Sequence, residues 1–224
     1  ITAYRWWDWN PANDGDSTAL PVITKAQQAN RQRQFSQELR LASDTDGPID
    51  YVVGAYYFWQ SIRGYGKSAY GPAAALWNRP ATSPIPIEAW DAALNGFEAN
   101  STSNPRTRSY ALFGQADWKI SDRLTLTGGL RFTHEKKDGS FNQFYVAGID
   151  LSTLPALTAG QALGVRTQFN PVIAFSTHLK DDSLGGLATL SWKFSEDALA
   201  YATYSRGNKS GGLNLTNLPA GLRP

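Results

Sequence analysis

The sequence predicts an all-β protein, an antiparallel up-and-down barrel that crosses a membrane with its strands, of which this chain forms part. Three observations carry that prediction. Apolar and polar residues alternate over stretches longer than the roughly five or six residues of an ordinary globular strand. The links between these stretches run long, short, long, short, long, short. Where alternation is clear, the charges share one face, as required when the other face meets lipid and the first lines a wet lumen.

Residues 1–9, ITAYRWWDW, are rich in β-forming residues but declare no clean face. Residues 35–43 alternate, with Phe35, Leu39 and Leu41 opposed to Ser36, Glu38 and Arg40. Residues 51–60, YVVGAYYFWQ, are apolar on both faces. Residues 110–138, YALFGQADWKISDRLTLTGGLRFTHEKKD, read as a hairpin. Tyr110, Leu112, Ala116, Trp118 and Ile120 share one side of its first strand, and Leu124, Leu126, Leu130 and Phe132 one side of its second. Lys119, Asp117, Arg131 and Glu135 stand on the other side. Residues 183–194 gather Leu184, Ala188, Leu190, Trp192 and Phe194 against Ser183, Thr189, Ser191 and Lys193, and a last strand spans 198–206. Seven strands result, with helix confined to loops.

Asp44-Thr45-Asp46-Gly47-Pro48 and Ser121-Asp122-Arg123 are turn sequences, and Ser195-Glu196-Asp197 makes the third short link. The long links, 10–34, 61–107 and 138–182, all fall at the other end of the strands and are rich in Pro and Gly. Three structureless loops beyond about 15 residues do not suit a compact soluble domain, whereas a barrel carries such loops on one side of its membrane. Within the second loop, PIEAWDAALN (86–95) predicts a short helix, with Pro86 suited to its first turn and Gly96 to its stop. Tyr110 and Trp118 stand on the lipid side near opposite ends of one strand. Eight residues at ~3.3 Å each, tilted by ~45°, span roughly 19 Å, close to the ~25 Å apolar band between aromatic girdles. Phe132, Trp192 and Tyr201 are expected in those girdles, and Trp6, Trp7 and Trp9 in a girdle or strand-end cluster.

Composition agrees. Charged residues are 18% of the 224, below the ~25% usual in soluble domains, and aromatics are 12%. A net charge of +2 without a basic block gives no sign of nucleic acid or acidic lipid as a partner. The absence of cysteine excludes a disulfide scaffold and Cys-based metal or redox chemistry. The chain begins at Ile1 and is read as processed or as a piece of something longer. No run of 18 apolar residues offers a membrane helix. Catalytic motifs fail on inspection. After His134-Glu135, Asp138 stands where a zinc protease has its second His; Ser61 occupies the first Gly position of a phosphate loop ending at Gly66-Lys67-Ser68; and no G-x-S-x-G elbow occurs. No enzyme activity, metal or cofactor is expected.

FSQELRLASDTDGPIDYVVGAYYF (35–58), YALFGQADWKISDRLTLTGGLRFTHEKKD (110–138) and LSWKFSEDALAYATYSRGNKSGGLN (190–214) resemble barrel segments of TonB-dependent outer-membrane receptors. Asn208 and Leu213 depart from that likeness, falling where the family often has aromatics. The resemblance implies a 22-stranded barrel closed by an N-terminal plug, which binds scarce nutrients at the cell surface and imports them with energy from the TonB complex. Iron-siderophore complexes are the commonest cargo, with cobalamin, haem and saccharides as others. Residues 1–224 are then an internal piece of the barrel domain in the outer membrane of a Gram-negative bacterium. The plug, its TonB contact and the terminal strands lie elsewhere, and Pro224 falls in a loop. Its partners would be outer-membrane lipid, TonB through the plug, and a small-molecule substrate as cargo rather than cofactor. Candidate ligand contacts are Arg40, Lys119, Arg131 and Arg206, as donors to an anionic chelate, and Trp59, Tyr65 and Tyr204, as stacking surfaces. The plainer role for the charges is pairing with one another, the plug or water. A passive porin, a soluble all-β binding module such as a propeller, and an outer-membrane enzyme are the competing readings.

Overall fold

The computed structural model describes residues 1–43 and 46–216. Its strands are β1 (Thr2–Trp9), β2 (Ala12–Asn13), β3 (Lys25–Ala42), β4 (Ile49–Ala69), β5 (Glu98–Ser103), β6 (Arg106–Ser121), β7 (Leu124–Ala147), β8 (Ile173–Ser195) and β9 (Ala198–Arg206). All belong to one antiparallel sheet in which neighbours in sequence are neighbours in space. β2 continues β1 along β3. β5 and β6 share one place between β4 and β7, interrupted at Asn104-Pro105, where proline has no N–H for the ladder. The sheet thus has seven strand positions, the number read from the alternation.

The three short turns lie at one end of the sheet and the long connections at the other. Of the first turn, Asp44 and Thr45 lie outside the described residues, as does Pro224 with the rest of 217–224. The expected loop bounds need correction. β3 begins at Lys25, β4 runs to Ala69, β7 to Ala147, and β8 begins at Ile173, so much of 10–34, 61–107 and 138–182 is sheet. These extensions, such as KAQQANRQRQ and EKKDGSFNQ, are largely polar on both faces. They carry no period-two hydrophobic signal; ladder hydrogen bonds hold them instead. β7 has 24 residues, which at ~3.3 Å per residue is roughly 80 Å, far beyond a ~25 Å apolar band. The sheet therefore extends well beyond its own apolar band on the long-loop side.

There it carries a small packed cap. α1 (Ala74–Asn78), α2 (Ile87–Leu94) and α3 (Ala156–Phe169) bury Leu94, Phe97, Val165 and Val22 almost completely. α2 is the helix expected over 86–95: Pro86 precedes it, and Gly96 leaves it with φ of 67°. α3 was not foreseen, because its buried positions Ala162, Val165 and Arg166 include a charge. The Arg166 guanidinium donates to the carbonyls of Ala92 (2.8 Å), Ala93 (2.9 Å) and Ile149 (2.8 Å). It thereby satisfies the C-terminal end of α2. Burial pushes its pKa below the usual arginine value. Asn170 Nδ2 donates to the buried Tyr70 hydroxyl at 2.9 Å, and burial raises the Tyr70 pKa.

One girdle expectation is overturned. A bulge between Lys193 and Ser195 shifts the β8–β9 register, so Trp192 faces Ala200 and Ser191 faces Tyr201. A single extra residue flips every side chain beyond it. Tyr201 therefore lies on the polar face, and Tyr204, opposite Ala188, on the apolar one.

Candidate ligand-binding wall

The polar face is built by alternation on β3, β4, β6, β7 and β8. One cross-strand row reads Arg40, Gly54, Phe113, Arg131, Gly185. Gly54 lets the Phe113 ring lie across β4; a Cβ there would strike the ring and the Leu39 carbonyl oxygen. The ring sits between two cations, with the Arg40 guanidinium 6.0 Å and that of Arg131 5.6 Å from its centroid. Arg131 also covers Tyr56 at 5.5 Å. Arg40 Nε donates to the Glu38 carboxylate, and Arg131 Nε to Thr133 Oγ1 at 3.3 Å. Among the described residues no carboxylate pairs with Arg131. The row floors a hollow of about 650 Å³, with Gln115, Ser183 and Arg206 at its margins. The Arg40 and Arg131 guanidiniums and the Phe113 ring suit an anion with a flat apolar body.

Arg40 and Arg131 are thus brought together; Arg206 borders the same hollow but, in register with Gly186, has the parity of Tyr204 on the apolar face. Lys119 shares their face at the short-turn end, where it pairs with Asp50 at 2.8 Å. Trp59, Tyr65 and Tyr204 are not in this group. Trp59 is in register with Phe35 and Arg108, and Tyr65 with Ala29 and Thr102, on the face that carries the outward apolar residues. Phe113 and Tyr56 were missed. The signal for Phe113 was available as an apolar residue on the charged side of its strand; 51–60, apolar on both faces, concealed Tyr56.

The opposite face is apolar and uncovered. Leu39, Leu112 and Leu130 are 66%, 65% and 64% exposed, and Leu39, Ala55, Leu112, Phe132 and Leu184 form one row. Above it lies an aromatic belt in which Tyr57 stands 6.2 Å from Phe35 and 5.1 Å from Tyr110. Trp118 and Trp192 mark the short-turn side. A continuous leucine-rich band between two aromatic belts is the pattern of the outer surface of a membrane β-barrel.

No curated protein matches the chain. Among solved structures it is similar to the ferric yersiniabactin uptake receptor of Yersinia pestis, at 20% identity and a TM-score of 0.63, over 99% of this chain and 27% of that one. Two further similar structures are the ferric-catecholate import receptor of E. coli K12 (14% identity, TM-score 0.47, 91% and 32% coverage) and a siderophore receptor of Acinetobacter baumannii (15%, 0.46, 91% and 28%). The chain therefore spans about 27–32% of the length of these structures. Residues 2–223 match the family described as TonB dependent receptor-like, beta-barrel; with its seven strand positions, one-sided long connections and exposed apolar band, the chain belongs to that family of receptor barrels.

Proposed function

We propose that this chain forms part of the ligand-facing wall of an outer-membrane receptor that takes up an anionic iron chelate, a siderophore complex, with energy delivered through TonB. The Arg40–Phe113–Arg131 row is the observation that carries the reading. Its guanidiniums offer charge-assisted hydrogen bonds to carboxylate or phenolate oxygens, and its ring a flat apolar contact. Membership of the receptor family supports an uptake role, and the leucine band supports outer-membrane lipid as the surrounding solvent. β1 and β9 are the outer strands of the sheet. Their free edges call for further strands to close a barrel, and the plug with its TonB contact is assigned to those other parts of the receptor.

The test is the double variant Arg40→Gln/Arg131→Gln in the full-length receptor, titrated with ferric siderophores by fluorescence quenching. Charge-assisted bonds contribute about 1.5–3 kcal/mol each, so Kd should rise at least about tenfold. An unchanged Kd with a folded barrel rejects this wall as the ligand contact. A steady conductance of the purified receptor in planar bilayers, without TonB, would point to a passive pore instead.

A further inference from the structure

Five arginines converge on the outward face, where the chemistry of the lumen gives them no role. Arg31, Arg33, Arg63, Arg106 and Arg108 line one hollow around Trp59 and Ser61. Register places them together. Arg31 faces Arg63; Arg33 faces Ser61, which faces Arg106; and Trp59 faces Arg108. On every strand they have the parity of the leucine band: Arg106 and Arg108 precede Tyr110 and Leu112, and Arg31 and Arg33 precede Phe35 and Leu39. The row continues outward from Arg108 to Lys136 and Lys180. Acidic residues are sparse beside it. Asp8 pairs with Arg31 at 3.0 Å, Asp138 faces Arg106, and among the described residues Arg33, Arg63, Arg106 and Arg108 have no ion-pair partner.

The height of this cluster matters as much as its charge. It begins at the aromatic belt of Phe35, Tyr57, Trp59 and Tyr110 and rises toward the long connections. In the orientation the barrel imposes, long connections face the cell exterior. The arginines thus stand where acyl chains give way to headgroups in the outer leaflet. Like charges so gathered repel one another unless an anion lies among them. Guanidinium forks match phosphate oxygens bidentately, and an indole at the same level suits the boundary between sugar and hydrocarbon.

We propose that this hollow binds the phosphorylated saccharide headgroup of an outer-leaflet glycolipid of the lipopolysaccharide type, fixing one such lipid against the outside of the barrel. The proposal rests on the membrane orientation above but not on the identity of the cargo. Its test uses the full-length receptor in detergent, with lipid A as the probe and native mass spectrometry as the readout. The wild type should retain bisphosphorylated lipid A at least about tenfold more than dephosphorylated lipid A. Arg33→Gln/Arg63→Gln/Arg106→Gln/Arg108→Gln should lose that preference, while the corresponding four-Lys variant keeps part of it. Heat-modifiable gel mobility checks that each barrel is folded; should the fourfold variant not fold, Arg106→Gln/Arg108→Gln is read in its place, with at least a threefold loss expected. Equal retention by wild type and the folded Gln variant overturns the proposal, as does equal retention of the two lipids. Displacement of the lipid by millimolar inorganic phosphate would make this a free-anion site and overturn it too. Siderophore affinity should stay within about twofold in the Gln variants. Its loss with lipid retention intact would mean that these arginines face the lumen, whereas failure of the Arg40/Arg131 test alone would leave this site standing.

Discussion

The helical cap and the leucine band are both apolar, yet they are built for different solvents. In the cap, Phe97, Leu94, Ala74 and Ala93 are 0% exposed, and an aromatic cluster of Tyr70, Trp90 and Phe169 packs edge to face. The band leaves leucines such as Leu39, Leu112 and Leu130 in the open, with nothing among the described residues to cover them. Hydrophobic burial can stabilise the first in water, while the second gains the same transfer energy only if an apolar solvent such as the lipid of the proposed function covers it. Hydrogen bonding follows the same division. The sheet satisfies its backbone between strands, as a membrane demands, whereas the cap relies on side chains such as Arg166 and Asn170 for carbonyls and hydroxyls that no ladder reaches. The strands join the two regions without sharing their energetics.

Three perturbations should separate them, in falling order of effect. Phe97→Ala should destabilise the cap by about 3–5 kcal/mol, the range for emptying a buried aromatic site. Hydrogen exchange should accelerate in α2 and α3 while heat-modifiable mobility of the barrel stays unchanged; coincident loss of both would mean that cap and barrel unfold together. Leu130→Arg acts on the other region. Leu130 is in register with Gly114, midway between Tyr110 and Trp118, so the charge falls near the bilayer centre and should cost about 2–4 kcal/mol. Folding titrations into lipid vesicles would measure it, and a neutral result would place this face away from lipid. The smallest effect is a pH response confined to the first connection. Asp16 accepts from the Ile23 N–H at 2.5 Å, the Thr18 hydroxyl at 2.6 Å and the Thr18 N–H at 3.0 Å. The Ile23 bond leads in holding its pKa below the ordinary value of 3.8. Its stabilising contribution is complete above 3.8 and is lost as pH falls through the lower folded value. Proteolysis within 14–24 should therefore rise between pH 6 and pH 3 while the sheet remains resistant; a flat profile would detach Asp16 from the loop's order.

Much of the fold was legible because it is local. Alternation in 110–120, 124–132 and 183–194 determined which side of each strand is apolar, since the β period is two wherever the strand ends up. Turn residues determined the short links, and Pro86 with Gly96 bracketed α2. The site was only half legible. Arg40 and Arg131 could be assigned to the polar face, but their meeting across Phe113 depends on the pairing of β3, β4, β6 and β7. The polar extensions of the long strands carried no period to read, and α3 buries a charge that argues against burial until its three carbonyl partners are in place.

By itself, then, the sequence determined the strand count, the two-faced chemistry of the sheet and the side on which its long connections emerge, because periodicity and turn chemistry act within a few residues. Only the tertiary structure decided how far the strands run, which way β9 faces after its bulge, and that cations distant in the chain gather around Phe113 on one face and Trp59 on the other. Register relates strands across the sheet, and a one-residue shift moves every side chain to the opposite solvent.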